Sequence, residues 1–147
     1  MKEIIVFSTP LGNMRLETET GAVTALRFTD EPVFGEENEA VRRIREYFSG
    51  GRKEFELELA PAGTPFQRRV WAEILKIPYG QMRTYGQIAE AVGKPSAARA
   101  VGMACGRNPI WIAVPCHRVV GFGGKLTGYA GGLDKKKYLL DLEQKKV

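Results

Sequence analysis

The chain has 147 residues, a length that fits one domain or two small ones. Hydrophobic residues make up 44% of it, which is enough for a packed core. No apolar run approaches the roughly 20 residues that span a bilayer, and the first residues turn polar too early for a secretory signal. Two cysteines exclude a disulfide framework, and a single histidine leaves a zinc site poorly supplied. Because an unprotected reactive thiol suits a reducing interior, we expect a cytoplasmic protein without a metal.

Charge is distributed unevenly along the chain. Residues 1–63 hold 8 Lys/Arg and 12 Asp/Glu, whereas residues 64–147 hold 14 and 5 and therefore carry a net charge of +9. A basic second half is typical of a domain that binds a polyanion. The same charge would also suit a solvated basic surface, and charge alone does not separate the two interpretations.

The first part of the chain predicts a small antiparallel sheet followed by a helix. Residues 3–8, 14–18 and 23–28 are β-rich segments separated by turn residues, as in a three-stranded meander. A helix is predicted from Glu36 to Phe48, and residues 55–59 alternate strictly enough for an edge strand. The helix has an apolar face made of Ala40, Val41, Ile44, Tyr47 and Phe48.

The second part of the chain predicts a series of short helices. Thr64, Thr84 and Ser96 each stand where a helix-capping residue is expected, and Asp134 begins a final helix. Between the third and the final helix, the glycine-rich residues 119–125 predict a mobile loop. The chain is thus predicted to be α+β, with a supporting α/β domain at residues 1–60 and a mostly helical domain at residues 64–147.

Two of these helices form a recognisable pair. The helices at 85–92 and 97–105 are separated by a tight turn at Gly93, which is typical of a helix-turn-helix. Arg99 lies in the first turn of the second helix, where a recognition helix contacts nucleic acid. That helix is rich in alanine and glycine, which suits either a close approach to another surface or tight helix packing.

A cysteine stands beside the only histidine, in the segment Pro115-Cys-His-Arg118. A thiol is a nucleophile only as the thiolate, and a nearby imidazole and basic groups favour that form. Proline would present the cysteine on a rigid bend. A buried cysteine can equally be an inert small hydrophobic residue, so the dipeptide by itself indicates little.

Six segments, in order along the chain, resemble the O6-alkylguanine-DNA alkyltransferases. In this family of DNA-repair proteins, each molecule reacts only once. The resemblance covers roughly residues 64–143, and residues 1–63 resemble the family's ribonuclease-H-like N-terminal domain only in outline. The segments are Thr84-Tyr-Gly-Gln-Ile-Ala89, Ala97-Ala-Arg-Ala-Val-Gly102, Asn108-Pro109, Ile112-Ala-Val-Pro-Cys-His-Arg-Val-Val120, Gly128-Tyr-Ala-Gly-Gly132 and Leu139-Leu-Asp-Leu-Glu143.

The resemblance implies a catalytic set. Cys116 would accept the alkyl group, and His117 would act on it through a water as a general base. Glu143 would orient His117 and stabilise its imidazolium, as in Ser-His-Asp chemistry. Tyr85 would give a proton toward the departing guanine and crowd the target phosphate, and Asn108 would brace the loop before the thiol.

The resemblance also implies a DNA surface and a substrate pocket. Arg99 would fill the gap left by the extruded nucleotide, and Tyr129 would flank the flipped base. Ala130 stands where the family commonly has serine, so a hydroxyl is missing there. The remaining DNA contacts would come from Tyr85, Ser96, Ala97, Ala98 and Gly102, and the remaining pocket residues would be Trp111, Met103 and Val119.

The implied reaction is a single irreversible transfer from O6-alkylguanine, and from O4-alkylthymine, to Cys116 after the nucleotide has flipped out of the duplex. The product is a thioether with no easy leaving group, so no cofactor is expected. The implied partner is double-stranded DNA bound through its minor groove by a monomer, with no membrane involved. Two alternatives remain: a non-catalytic lesion-binding relative, in which another residue replaces Cys116, and a cysteine hydrolase with turnover.

Overall fold

The computed structural model describes residues 1–145, so the last two residues of the predicted 64–147 domain lie outside the described residues. The fold is mixed α/β, and the chain separates into two compact units. One unit contains Met1–Ala62 together with Pro109–Trp111, and the other contains Gly63–Asn108 and the chain from Ile112 onward. Within residues 1–145, none of the helices combines the length and the apolar character that crossing a bilayer requires.

The first unit is built on an antiparallel meander of three strands, which confirms the sequence prediction. The strands are β1 (Lys2–Thr9), β2 (Gly12–Glu19) and β3 (Ala22–Phe28), in the order β1-β2-β3. Along β2 every second residue is buried (Met14, Leu16 and Thr18), because side chains on a strand point to opposite faces in turn. The buried face gives this unit its core.

Helix α1 (Glu39–Phe48) begins three residues later than predicted. Asn38 adopts an extended conformation and its side chain accepts a hydrogen bond from the Val41 N–H, so it is the capping residue. The acidic residues before it therefore lie outside the helix. The apolar face is buried as predicted.

The predicted edge strand at residues 55–59 is wrong. Glu56 has a positive φ of 53°, which breaks the extended conformation. Only an isolated bridge between Val23 and Leu59 joins this part of the described chain to the sheet. The structure also assigns Pro109–Trp111 to the first unit, although these residues fall inside the predicted second domain. The Leu26 N–H donates to the Pro109 carbonyl, and the Trp111 N–H donates to the Leu26 carbonyl.

The described part of the second unit contains four α-helices and a short parallel strand pair. Thr64 and Thr84 both cap helices as predicted, each in a reciprocal capping box with a glutamine three residues later. The helices are α2 (Pro65–Ile74), α3 (Tyr85–Ala91), α4 (Ala98–Gly106) and α5 (Leu133–Glu143), and the strands are β4 (Arg83–Thr84) and β5 (Val119–Val120).

Two local predictions in the second unit are wrong. Ser96 does not cap α4, because Ala97 occupies the capping position without a side-chain hydrogen bond, after a turn in which its N–H donates to the Lys94 carbonyl. The predicted mobile loop at 119–125 begins instead with β5, which pairs with β4 in parallel. The Gly121 N–H then donates to the Lys125 carbonyl, so the rest of this segment is a closed turn.

Candidate active site

Cys116 is the first residue of a single 3-10 turn, Cys116–Arg118, at the end of a buried apolar segment. The Cys116 N–H donates to the Val114 carbonyl at 2.8 Å, and the Arg118 N–H donates to the Pro115 carbonyl at 2.9 Å. Ile112, four residues before Cys116, is buried and has a φ of +73°, a conformation that is strained for a β-branched residue. The surrounding packing therefore holds the approach to Cys116 in one shape.

His117 and Glu143 are far apart in sequence but adjacent in the structure. The His117 Nε2 lies 2.7 Å from Glu143 Oε2, and both side chains are buried. Arg118 donates to both carboxylate oxygens of Glu143, from Nε at 2.8 Å and from Nη2 at 2.9 Å. The Gly80 N–H also donates to Glu143 Oε1 at 3.1 Å. Arg118 and Gly80 are partners that sequence reasoning did not assign to this carboxylate.

These contacts set the charge of the pair. Burial alone would raise the pKa of Glu143, but the hydrogen bonds from His117 and Arg118 outweigh it and hold that pKa at about 2. Burial lowers the pKa of His117, against the opposing effect of Glu143. The imidazole is therefore neutral at neutral pH, with its Nε2–H donating to an ionised carboxylate. The lone pair of its other nitrogen, Nδ1, is then the basic position of the ring.

The Cys116 thiol is buried and hydrogen-bonded. The Asn108 side chain donates to Cys116 Sγ at 3.4 Å and to the Val114 carbonyl at 3.0 Å, which is a bracing contact before the thiol. A hydrogen bond with Cys105, together with burial, raises the pKa of Cys116 well above its ordinary value. Asn108 and the charge of Lys136 act in the opposite direction. The resting residue is therefore a neutral thiol that needs a base.

Lys136 is a site residue that sequence reasoning missed. Its side chain is completely buried, and its Nζ donates to the carbonyls of Thr127 at 3.2 Å and Gly128 at 3.1 Å. The Tyr85 hydroxyl donates to the same Thr127 carbonyl at 2.9 Å and lies 3.5 Å from the Lys136 ammonium. Lys136 precedes Glu143 by two helical turns, on the face that also buries Leu139 and Leu140. The helical spacing of Lys136 from Leu139, Leu140 and Glu143 was the sequence signal that could have identified it as an inward-facing residue.

The predicted pocket residues divide into three groups. Val119 is buried, Tyr129 is half-buried and Ala130 is exposed. Burial, and to a lesser extent an electrostatic interaction with Cys116, raises the pKa of Tyr129. Met103 is instead 67% exposed and lies one helical turn from the exposed Arg99, so the structure places it on the outer face of α4. Trp111 belongs to the first unit, where its ring centroid is 5.7 Å from that of Phe28.

Apart from Tyr85, which begins α3, the predicted DNA-contact residues lie along α4 and the turn before it. Ser96 and Arg99 are exposed, and Ala97, Ala98 and Gly102 are half-buried. A Cβ added at Gly102 would lie 3.8 Å from the Tyr85 ring, so α4 passes closely beside that ring. Within residues 1–145, no three His, Cys, Asp or Glu side chains are grouped as a metal site.

Comparisons with known proteins agree on one family. Residues 65–145 match the family model of the 6-O-methylguanine DNA methyltransferase, DNA binding domain. A curated protein of Mycobacterium tuberculosis named methylated-DNA--protein-cysteine methyltransferase is 49% identical over 137 residues, which cover 93% of this chain and 82% of that protein.

Solved structures lead to the same result. The crystal structure of Mycobacterium tuberculosis O6-methylguanine methyltransferase superposes with a TM-score of 0.90 at 43% identity, covering 100% of this chain and 95% of that one. The crystal structure of Mycobacterium tuberculosis OGT in complex with DNA superposes with a TM-score of 0.88 at 44% identity, covering 96% and 92%. The chain therefore belongs to the methylated-DNA--protein-cysteine methyltransferase family.

Proposed function

We propose that this protein repairs O6-alkylguanine in DNA by moving the alkyl group irreversibly onto Cys116. The observation that carries the proposal is the buried arrangement of Cys116 with the His117–Glu143 pair, inside the segment that matches the family model. O4-alkylthymine is a second substrate by the same chemistry. One protein molecule repairs one lesion, because a thioether has no easy leaving group.

The transfer needs a base for the thiol. His117 takes the Cys116 proton through a water, and the imidazolium that forms is stabilised by Glu143 at 2.7 Å. Arg118 keeps Glu143 ionised by donating to both of its oxygens. The Cys116 sulfur then forms a bond to the alkyl carbon while the bond from that carbon to O6 breaks, and its electron pair passes to guanine.

Tyr85 completes the proton balance. Burial raises its pKa, so its hydroxyl remains protonated and can give a proton toward the departing guanine. Because that hydroxyl donates to the Thr127 carbonyl in this structure, it must turn toward the base when DNA is bound. Val119, Tyr129 and Ala130 form the pocket, and the missing hydroxyl at Ala130 alters its tolerance of large alkyl groups.

DNA binds to the second unit through α3 and α4, which act as a helix-turn-helix. Three features support this proposal: the net charge of +9 on residues 64–147, the exposed Arg99, and the small residues Ala97, Ala98 and Gly102 that permit a close approach to the minor groove. Arg99 occupies the space that the flipped nucleotide leaves, which offsets a cost of a few kcal/mol. The protein acts as a monomer, and the first unit is a supporting domain of ribonuclease-H-like topology.

Mass spectrometry after incubation with duplex DNA containing O6-methylguanine tests the proposal. We expect one methyl group per protein, on the peptide that contains Cys116, without turnover. The same DNA without the lesion is the control. If the protein stays unmodified but binds the damaged duplex more tightly than the undamaged one, it is a lesion-binding protein. If it stays unmodified and shows no such preference, a cysteine hydrolase becomes the better hypothesis.

A further inference from the structure

We infer that Phe122 is an apolar contact with duplex DNA, and that its ring packs against a nucleotide beside the one that flips out. The inference rests on the DNA binding proposed above. It adds to that interface a residue that lies outside the six sequence segments of the family resemblance.

Phe122 is an aromatic residue without cover. It is 96% exposed, and it stands between Gly121 and the pair Gly123-Gly124, so its neighbours in sequence have no side chains to shield the ring. Single exposed apolar residues are common on protein surfaces, so the exposure alone indicates little. The position of the residue beside the candidate site is what carries the inference.

Phe122 leaves the strand pair at the same end as Tyr85. Strands β4 and β5 are parallel, and Thr84 is in register with Val120. Tyr85 follows Thr84 directly, and Phe122 comes two positions after Val120. Chain segments that follow registered parallel strands emerge at one edge of the pair. The turn that carries Phe122 therefore begins next to the residue proposed to give a proton to the departing guanine.

Thr127 connects this turn with Tyr85 and, through it, with α4. The Tyr85 hydroxyl donates to the Thr127 carbonyl at 2.9 Å. A Cβ added at Gly121 would lie 3.4 Å from Thr127 Oγ1, so the turn packs closely against residue 127. The Tyr85 ring in turn lies 3.8 Å from a Cβ added at Gly102 of α4. A duplex that contacts α4 and Tyr85 therefore comes within reach of the Phe122 turn.

The turn holds Phe122 in one place. The Gly121 N–H donates to the Lys125 carbonyl at 2.7 Å, and the Gly124 N–H donates to the Gly121 carbonyl at 3.0 Å. Gly123 and Gly124 have φ values of +73° and +84°, which glycine adopts without strain. A ring on such a closed turn loses less conformational freedom on binding than a ring on an open loop, so its contact costs less.

The charge around Phe122 favours DNA as the occupant. Residues 74–89 and 119–133, the two stretches that meet in the β4–β5 pair, contain Lys76, Arg83 and Lys125 and no Asp or Glu. Basic groups attract the phosphates, and an aromatic ring between them can pack on a sugar or a base face. Proteins that bind the minor groove frequently place apolar side chains at base steps in this way.

Fluorescence anisotropy of the full-length protein with a duplex containing O6-methylguanine tests the inference. Phe122→Ser should bind this duplex about tenfold more weakly than the wild type, because the packing of an aromatic ring on a nucleotide is lost. The ratio of the two affinities should be the same at low and at high salt, since an apolar contact releases no counterions. An unchanged affinity, or a ratio that depends on salt, would overturn the inference.

Two further variants make the test specific. Val33→Ser is the matched control, because Val33 is a 57% exposed apolar residue of the first unit, and it should bind the duplex like the wild type. Phe122→Trp should keep the wild-type affinity, and the additional indole fluorescence, measured against the wild type, should be quenched by the duplex. An additional indole that the duplex does not quench would contradict the contact, whatever the effect of Phe122→Ser.

Methyl transfer by the wild type separates this inference from the proposed function. If the wild type neither binds the duplex nor accepts a methyl group on Cys116, the proposed function fails. If it does both and Phe122→Ser binds as tightly as the wild type, only the contact of Phe122 is wrong.

Discussion

The two units of this protein use charged residues in opposite ways. In the first unit the charged side chains pair near the surface, as in Arg45 with Glu37 and Arg52 with Glu46, where an ion pair contributes about 0–1 kcal/mol. Within residues 1–145, every charged side chain that is buried lies in the second unit, and these are Arg118, Lys136 and Glu143. Burying a charge costs several kcal/mol, and pairing often repays that cost only in part. The second unit bears that cost beside the one cysteine–histidine pair, which indicates chemistry rather than stability.

The largest effect is expected from Cys116→Ala. The variant should transfer no alkyl group, because the acceptor sulfur is gone, yet it should bind damaged duplex DNA about as tightly as the wild type. Mass spectrometry measures the transfer, and fluorescence anisotropy measures the affinity. If a folded Cys116→Ala variant no longer binds DNA, Cys116 is needed for binding as well, which contradicts the proposed role of an acceptor without phosphate contacts.

The next largest effect is expected when a buried carboxylate is removed, and an exposed carboxylate is the comparison. Glu143→Gln leaves Arg118 and His117 without their anion, so we expect a loss on the order of 3 kcal/mol in the free energy of unfolding. Transfer should fall roughly 100-fold or more. The matched variant Glu37→Gln, in an ion pair whose partners are each about 40% exposed, should lose under about 1 kcal/mol and keep its transfer rate. Urea unfolding measures the free energy of unfolding. If both variants lose the same amount, the proposed difference between the two units is wrong.

The same carboxylate predicts a pH dependence. The folded pKa of Glu143 is about 2, below the value of about 4.3 for an unfolded glutamate. Because the folded pKa is the lower one, this stabilisation is complete above about pH 5 and is lost as the pH falls toward 2. The difference in unfolding free energy between the wild type and Glu143→Gln should therefore shrink over that window. A constant difference would show that Glu143 is not the titrating group.

A smaller effect separates two exposed arginines. Arg99→Ala should slow transfer from duplex DNA about tenfold, since the vacated space in the stack is no longer filled, and should leave transfer from the free alkylated base nearly unchanged. Arg42→Ala removes an exposed charge that pairs with Glu39 in the first unit and is the matched control. Equal losses on both substrates would remove Arg99 from the flipping step.

The smallest effect separates two neighbouring lysines. Lys136→Met should slow transfer by about threefold to tenfold, because Tyr85 and the Thr127 carbonyl lose the cation that holds them. Lys137 pairs with Asp141 on the surface, so Lys137→Met should change little. Single-turnover rates measured at several pH values would detect the difference. An unchanged rate for Lys136→Met would make this buried lysine purely structural.

Local features of the fold were predictable from sequence. The meander, the buried face of α1 and the two threonine caps follow from patterns that span only a few residues. The failures have physical reasons of their own. Ser96 has the chemistry of a cap, but the following turn places Ala97 at the capping position. The extended pattern at residues 55–59 is interrupted by the positive φ of Glu56, which alternation does not reveal.

The motif residues of the candidate site were predictable from sequence, whereas the residues that hold them in place were not. Cys116, His117 and Asn108 stand in recognisable segments of sequence. The Gly80 N–H meets Glu143 across 63 positions, and no local pattern indicates such a contact. Lys136 was missed because lysine is rarely buried, although its periodicity with Leu139 placed it on the inner face. Pro109–Trp111 joined the first unit through backbone pairing with Leu26, which is equally non-local.

The distance along the chain between Cys116 and its carboxylate has a consequence during synthesis. A ribosome makes the acceptor before the last turn of α5, and Glu143 closes that turn. Until α5 has left the ribosome and packed, Arg118 and His117 lack the Glu143 carboxylate, so the base proposed for Cys116 is not yet held in place. Under the proposed mechanism, a chain that has not yet been extended to Glu143 therefore carries an unreactive cysteine.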